Sequence, residues 1–218
     1  FADEGLTNPN VEVMLSHIRL LRSVAGKKEV RGLTGAQLTD LDQCCANVIA
    51  DVVGKSLPET PNGFLQLAAW IDGASRQTPV EIFSTNYDLL VEEALEKFSV
   101  PFFDGFSGTN QPFFDTNSIE RNDLPPRWVR LWKLHGSINW FEKTAADGSK
   151  RMWRGMRNSS TDPAMIHPSH QKYDQSRRMP YLALMDRLRA FLAQPSAVLM
   201  VCGYSFSDEH LNGAILDA

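Results

Sequence analysis

The sequence predicts an α/β fold in which helices cover both faces of a parallel β-sheet. Short apolar strands are expected over residues 79–84, 129–134 and 197–202, and another over 138–141. Helical patterns lie between them, and this alternation is typical of parallel sheets. Polar turns follow three of the strands. Because ligands bind beyond the carboxyl ends of the strands in open α/β sheets, we expect these turns to meet at one edge.

The composition is that of a globular protein. The chain has 218 residues, of which 43% are hydrophobic and 22% are charged. These values exclude disordered and low-complexity classes, and the length allows a sizeable core. The longest apolar run, residues 197–202, is far shorter than the roughly 20 residues of a membrane span. No membrane partner is therefore expected.

The chain contains three cysteines, Cys44, Cys45 and Cys202. Two of them are adjacent, so they form neither a disulfide framework nor a four-thiolate zinc site. Such sparse cysteine usage suits a reducing compartment, and we expect a cytoplasmic protein. No metal ligands are expected: His167, His170 and Asp174 are interpreted as part of a polar surface loop rather than a metal site.

The first 78 residues are expected to be mainly helical. Apolar residues at helical spacing predict a helix from Val11 to Leu21. The segment from Thr34 to Gln37 has the form of a capping box, and Gly54 is expected to end the helix that follows. A third helix is predicted over residues 64–74.

Further helices are predicted between and after the strands. They cover residues 89–98, with Asp88 as a candidate N-cap, and residues 180–194, with Pro195 as the stop. The last begins at Ser207, whose hydroxyl is a candidate N-cap.

The net charge of −4 hides a basic centre. Residues 120–189 carry 14 Lys and Arg against 7 Asp and Glu. This excess favours either an anionic ligand or a solvated surface. Tryptophans and arginines alternate in the same region, which is compatible with base stacking, but core packing is the favoured interpretation. Direct nucleic-acid binding is not expected.

The three polar turns form recognisable motifs. They read Phe83-Ser-Thr-Asn-Tyr-Asp88, Lys133-Leu-His-Gly-Ser137 and Cys202-Gly-Tyr-Ser-Phe-Ser-Asp-Glu-His210. In this order they resemble the sirtuin-like NAD-binding domain, and most of all its bacterial branch in anti-phage defence proteins. The resemblance implies a Rossmann-like parallel sheet with helices on both faces, plus a helical insertion or subdomain. Residues 1–78 would be the helical part, and residues 79–218 the part that carries the motifs for NAD.

The resemblance also implies roles for single residues. Asn86 and His135 match the catalytic asparagine and histidine of the family. Asparagine can orient a water or a ribose, and histidine can accept a proton near neutral pH. Asp88 is a third catalytic candidate, which would bind the nicotinamide amide or steady developing positive charge. The candidate NAD contacts are Ser84, Thr85, Gly203, Ser205, Asp208 and Asn212.

Each of these residues also has a purely structural interpretation. Asn86 could simply end a strand, Asp88 could cap the next helix, and His135 could be a buried turn histidine. Ser205 and Ser207 could act only as capping residues. The order of the three motifs favours function for Asn86 and His135, and it leaves the other residues open.

Two departures from the sirtuin pattern affect the expected chemistry. Cys202 is the only cysteine between His135 and Gly203, so the zinc module of the deacylases is missing and no zinc is expected. No Gly-Ala-Gly-x-Ser phosphate loop occurs in the sequence either. We therefore expect the chain to be an incomplete sirtuin-like domain whose phosphate loop precedes Phe1.

Together these points predict an enzyme that uses NAD as its substrate. The expected activity is hydrolysis of NAD to nicotinamide and ADP-ribose, as an effector of anti-phage defence. The alternatives are an NAD-dependent deacylase and a module that senses NAD or ADP-ribose without cleaving it. The resemblance further implies a homo-oligomer and a defence partner such as a HerA-type ATPase or an Argonaute.

Overall fold

The structure, a computed structural model, describes residues 11–26, 28–121, 123–144, 150–156 and 180–218. It contains helices and two small β-sheets. The helices are α1 (Val11–Ala25), α2 (Gly35–Val53), α3 (Gly63–Gly73), α4 (Leu90–Lys97), α5 (Thr116–Glu120), α6 (Tyr181–Leu192) and α7 (Glu209–Leu216). The strands are β1 (Val80–Ser84), β2 (Phe102–Phe103), β3 (Phe106–Ser107), β4 (Phe113–Phe114), β5 (Val129–Lys133), β6 (Trp140–Thr144) and β7 (Lys150–Arg154).

Helices α1 and α2, which the helical patterns predict, pack against each other. The predicted capping box at Thr34 is confirmed, since the Thr34 side chain accepts from the Gln37 backbone and the Gln37 side chain accepts from the Thr34 backbone. Gly54 caps the carboxyl end of α2 as expected. The pair is held by apolar packing and by buried Asp42, whose carboxylate accepts from Arg19 Nε at 2.9 Å and from Arg22 Nη1 at 2.9 Å.

The central sheet is parallel and has the strand order β1-β5-β2. Strands β1 and β5 pair over their full length, with Val80 beside Val129 and Ser84 beside Lys133. All five residues of β5 are buried. Strand β1 pairs along one edge of β5, β2 pairs with Val129 and Arg130 on the other edge, and side chains cover both faces. The predicted parallel sheet is therefore confirmed.

Successive residues of these strands serve two different cores, because side chains alternate across a sheet. Val80, Ile82 and Val129 join a core with residues of α3 and α4, including Ala68, Ile71, Ala94 and Leu95. Phe83 and Trp132 join the opposite core, with residues of α6 and α7 that include Leu184, Leu188 and Leu211. Helices thus cover both faces, and the domain is a Rossmann-like α/β fold.

The second sheet is antiparallel, with the order β3-β4-β7-β6. It packs on the core of α6 and α7 through buried Phe106 and Trp140, whose ring centroids are 5.0 Å apart. The predicted strand over residues 138–141 is only partly right, since the strand runs over Trp140–Thr144 and belongs to this sheet. Its partner β7 lies in a polar, basic stretch without a clear period, so the sequence does not predict it.

Two further predictions are wrong. Residues 197–202 form no strand within the described chain, and Val198 is 85% exposed and Met200 is 73% exposed. Their apolar character predicted a buried strand, but no described strand pairs with them. The N-cap of α7 is Asp208 rather than Ser207, because the Asp208 carboxylate accepts from two backbone N–H groups of the helix.

A buried ionic cluster fastens α6 to the central sheet. Glu81 on β1 accepts from Arg130 Nη1 at 2.9 Å, from Arg187 Nη2 at 2.6 Å and from Trp132 Nε1 at 2.8 Å. The three charged side chains are between 3% and 9% exposed. In the described residues, no helix has the length and hydropathy needed to cross a membrane.

Candidate functional site

The loops that follow β1 and β5 are bonded to each other at the carboxyl edge of the central sheet. Leu134 N donates to the Ser84 carbonyl at 2.8 Å, and Ile138 N donates to the Tyr87 carbonyl at 3.1 Å. The Ser137 hydroxyl donates to the same Tyr87 carbonyl at 3.3 Å. The first two predicted motifs therefore lie together, as the parallel sheet requires.

The third motif reaches this edge through a hydrogen bond between two side chains. His135 Nε2 lies 3.0 Å from Asp208 Oδ2, and the two side chains are 13% and 7% exposed. The other carboxylate oxygen of Asp208 accepts from His210 N at 3.0 Å and from Leu211 N at 3.3 Å. Asp208 thus connects the amino end of α7 to the histidine loop, so the third motif reaches this edge at Asp208, although no described strand leads into it.

The His135 loop owes its shape to the residues around it. Gly136 has a φ of +88°, a region that favours glycine, and its N–H donates to the Lys133 carbonyl at 3.1 Å. This tight turn directs the chain from β5 to Ile138, which packs with Ala46 and Ala50 of α2. The helical part of the chain therefore supports the loop that carries the histidine.

The β1 loop presents Asn86 to solvent. Asn86 is exposed, Ser84 and Thr85 are partly buried, and Asn86 N donates to Ser84 Oγ at 3.2 Å. This hydrogen bond joins residues two positions apart within the loop. The Asn86 side-chain amide, which carries both a donor and an acceptor, is accessible. A hydrogen-bonding ligand at this edge can therefore reach Asn86.

Asp88 makes a contact that agrees with its structural interpretation as a residue at the start of the next helix. Its Oδ1 accepts from Leu90 N at 3.1 Å, at the start of α4, although the N-cap position itself is Leu89. The Asp88 carbonyl accepts from the Lys133 ammonium. Asp88 therefore connects the β1 loop both to α4 and to the end of β5.

Sequence reasoning missed Lys133 and its partner Glu92. Lys133 is 1% exposed, and its Nζ lies 3.6 Å from Glu92 Oε1. Burial raises the pKa of Glu92, and the positive charge of Lys133 partly opposes that rise. The available signal was a lysine within an apolar strand, since lysine is almost never buried without a partner. Through its contacts with Glu92 and with the Asp88 carbonyl, Lys133 holds the β1 loop in place.

The turn after residue 202 is held by its own side chains. Tyr204 Oη donates to Asn212 Oδ1 at 3.0 Å, and Asn212 Nδ2 donates to the Phe206 carbonyl at 2.7 Å. The hydroxyl groups of Ser205 and Ser207 lie 2.8 Å apart. Asn212 thus braces this turn. Whether it or Asp208 also contacts NAD stays a prediction.

Gly203 allows the turn to form, with a φ of +66°. A Cβ added at Gly203 would meet no atom of the described residues within 4 Å, so these residues leave space beside the turn. Exposed Ser205 borders the same space along the chain. The turn can therefore be approached by a ligand from the solvent side.

The described residues hold no group of three or more His, Cys, Asp and Glu side chains that could bind a metal ion. His167, His170 and Asp174 lie outside the described residues, so their interpretation as a surface loop stays a prediction. Two tryptophans of the basic centre pack in a core, as predicted: Trp132 and Trp140 are each 1% exposed.

The carboxyl edge of this Rossmann-like sheet, where open α/β sheets bind their ligands, carries an exposed amide, an imidazole and hydroxyl groups. The family model of the SIR2-like domain matches residues 80–218, which is more than half of the chain. The chain therefore belongs to the SIR2-like domain family, a family that binds NAD. No curated protein matches the chain.

The ligand of the family, NAD, carries hydrogen-bonding groups of the kind that these residues complement. The carboxamide and the ribose hydroxyl groups of NAD both donate and accept hydrogen bonds, and the accessible Asn86 amide offers the complementary groups. His135 is partly exposed, at 13% for its side chain, and its turn adjoins the Asn86 loop. These two groups can exchange hydrogen bonds with a ligand at this edge.

Proposed function

We propose that this site hydrolyses NAD to nicotinamide and ADP-ribose. The observation that carries the proposal is the bonding of the Asn86 loop to the His135 loop, with His135 held by Asp208. In a family that binds NAD, an accessible amide beside an oriented imidazole supplies the two groups that hydrolysis of the nicotinamide bond requires. The lack of a sirtuin zinc module in the sequence favours water over a peptide as the acceptor.

Hydrolysis of NAD at the nicotinamide bond requires little acid catalysis. The bond between the nicotinamide nitrogen and the ribose carbon breaks, and its electron pair leaves with neutral nicotinamide. Water adds to the same carbon and loses one proton. Nicotinamide is a good leaving group, so the protein must mainly position the ribose, orient the water and accept the proton.

In this proposal Asn86 orients the attacking water or the ribose through its amide. His135 accepts a hydrogen bond, and then a proton, from a ribose hydroxyl or from the water. Asp88 places a carboxylate near the developing positive charge. Ser84 and Thr85 belong to the same loop and offer hydroxyl groups to NAD.

The turn after residue 202 completes the proposed NAD site. Gly203 lets the dinucleotide approach the backbone, and Ser205 offers a hydroxyl group. Asn212 braces this turn through Tyr204 and Phe206, so its contribution includes holding the turn in place. Asp208 makes the link to His135.

The resemblance to the anti-phage branch extends the proposal to the cellular role. We place the enzyme in the cytoplasm as a defence effector that depletes NAD. It would act as a homo-oligomer under the control of a partner such as a HerA-type ATPase or an Argonaute.

The test is NAD turnover by the full-length protein, measured as nicotinamide released, with and without candidate activators. Asn86→Ala and His135→Ala are each expected to lower the rate by at least about 100-fold, because positioned groups of this kind contribute about 10²–10⁴. Asn117→Ala, which changes an exposed asparagine on α5, is the matched control and should leave the rate unchanged. Circular dichroism verifies that each variant is folded.

Three results would overturn the proposal. Full activity in both site variants would remove the site assignment. NAD binding without turnover under every condition would establish a sensor. Nicotinamide release only in the presence of an acyl-lysine peptide would establish a deacylase.

A further inference from the structure

Asp208 makes two kinds of contact at once. Its Oδ1 accepts two backbone N–H groups at the start of α7, from His210 and Leu211, and its Oδ2 faces His135 Nε2 at 3.0 Å. The residue is 6% exposed, so solvent has little access to either contact. The helix fixes the carboxylate, and the carboxylate in turn fixes the imidazole.

The direction of the bond to His135 follows from the donor inventory. An ionised carboxylate only accepts hydrogen bonds, and the amino end of a helix favours an ionised side chain. His135 Nε2 must therefore carry the hydrogen in this pair. In the neutral imidazole one nitrogen donates and the other accepts, so the lone pair lies on Nδ1.

Nδ1 is also the nitrogen that is left for a substrate. Within the described part of the chain it has no hydrogen-bond partner, and the His135 side chain is 13% exposed. A base must have its lone pair directed at the proton that it accepts. The Asp208 contact thus leaves the basic nitrogen available.

The surroundings of Asp208 keep it in place. Tyr204 Oη donates to the Asp208 carbonyl at 3.2 Å. Burial and the negative charge of Asp208 raise the pKa of the Tyr204 phenol. Tyr204 therefore stays a neutral donor, and the turn that carries Asp208 keeps its shape.

We infer that Asp208 is a positioning residue that holds neutral His135 as the Nε2–H tautomer and so makes Nδ1 the proton acceptor. This inference rests on the proposed hydrolysis of NAD for its effect on rate. The tautomer itself is a property of the protein that exists without NAD.

Asp208→Asn separates this role from helix capping. The amide oxygen can still accept from the α7 backbone, since asparagine is as good an N-cap as aspartate. The amide nitrogen, however, is a donor and favours a lone pair on Nε2, which is the opposite tautomer. We expect kcat to fall by about 100-fold or more, with KM within about twofold, as for loss of a correctly oriented base.

Asp115→Asn is the matched control. Asp115 is the N-cap of α5, and its carboxylate accepts from Ser118 N and from the hydroxyl groups of Ser107 and Ser118, all outside the site loops. The substitution removes the charge of a capping aspartate without touching His135, so kcat should stay unchanged. If Asp208→Asn fails to fold, Asp208→Ser, which also keeps a capping oxygen, replaces it and should show the same loss of kcat.

Nitrogen-15 NMR of the histidine rings supplies the readout that a merely structural role would not move. With His135 assigned by comparison with His135→Gln, the neutral ring should carry its hydrogen on Nε2 in the natural protein and on Nδ1 in Asp208→Asn. A natural protein with the Nδ1–H form, or a variant with unchanged kcat, would overturn the inference. If the natural protein never cleaves NAD, the proposed function is overturned instead. The tautomer of His135 seen by NMR then still tests whether Asp208 positions the imidazole.

Discussion

Replacing Glu81 by glutamine should destabilise the protein more than any other single change in the buried ionic cluster. Glu81 is the anion of that cluster, and it accepts from Arg130, Arg187 and Trp132. The side chains of Arg130 and Arg187 are 4% and 9% exposed. Glutamine has the same shape but no charge, so the two guanidinium groups would lose this counterion.

The magnitude follows from the charge of the three side chains, which the substitution changes from +1 to +2. Removal of one partner from a buried ion pair costs about 3–5 kcal/mol, because an uncompensated charge stays buried. Total stabilities of domains are about 5–15 kcal/mol, so this loss would be a large fraction of the whole.

Arg130→Met is the matched comparison. It removes one of the two cations and leaves a neutral pair between Glu81 and Arg187. Among the described residues, Arg130 Nη2 is buried without a hydrogen-bond partner, so its removal also relieves an existing cost. We expect a smaller loss than for Glu81→Gln, because the remaining pair of Glu81 and Arg187 carries no net charge.

Urea unfolding measures both changes. It would be followed by circular dichroism and by tryptophan fluorescence, to which Trp132 in the cluster contributes. The reasoning requires Glu81→Gln to lose much more free energy of unfolding than Arg130→Met. Equal losses, or the reverse order, would refute it.

Two further predictions concern a buried carboxylate and a glycine. Burial raises the pKa of Glu92 above its ordinary value of 4.5, so the folded state loses stability as the pH rises through the raised pKa. The stability of Glu92→Gln minus that of the natural protein should therefore increase between pH 4.5 and neutral pH, by about 1.4 kcal/mol for each tenfold difference in proton affinity between the folded and unfolded states. The loss of the anionic partner of Lys133 adds an offset to this difference, and parallel curves in urea unfolding would contradict the prediction. Gly105 has a φ of +93°, and a Cβ there would lie 2.9 Å from Phe114 Cε2 and 3.1 Å from Ile119 Cδ1. Gly105→Ala should cost about 2 kcal/mol or more, and Gly108→Ala, whose nearest contact would be 3.6 Å, should cost less in the same assay.

The central fold could be predicted because its elements are long enough to show a period. Strands β1 and β5, the capping box at Thr34 and the helix before Pro195 follow from local patterns. Strands of two residues, such as Phe102–Phe103, show no period, and their pairing depends on distant partners. The strand predicted over the apolar segment 197–202 is wrong for a related reason, since an apolar run is buried as a strand only if a neighbouring strand pairs with it.

The sequence is enough to predict which loops form the site, but not which side chains contact each other there. Parallel strands bring their carboxyl ends to one edge, and this rule alone is enough to place the loops of Asn86 and His135 together. The pair of His135 and Asp208 joins residues 73 positions apart, and no local pattern encodes it. The brace formed by Lys133 and Glu92 likewise depends on burial, which a single lysine in a strand does not specify.

The hydrogen bonds between the two site loops have a consequence for protein engineering. The carbonyl groups of Ser84 and Tyr87 accept from the backbone of Leu134 and Ile138, so neither loop has a conformation of its own. If one loop were exchanged alone, it would no longer face the loop with which it shares these hydrogen bonds in its own protein. The geometry of both loops would then change. Residues 84–88 and 134–138 are therefore best transplanted between relatives as a single unit.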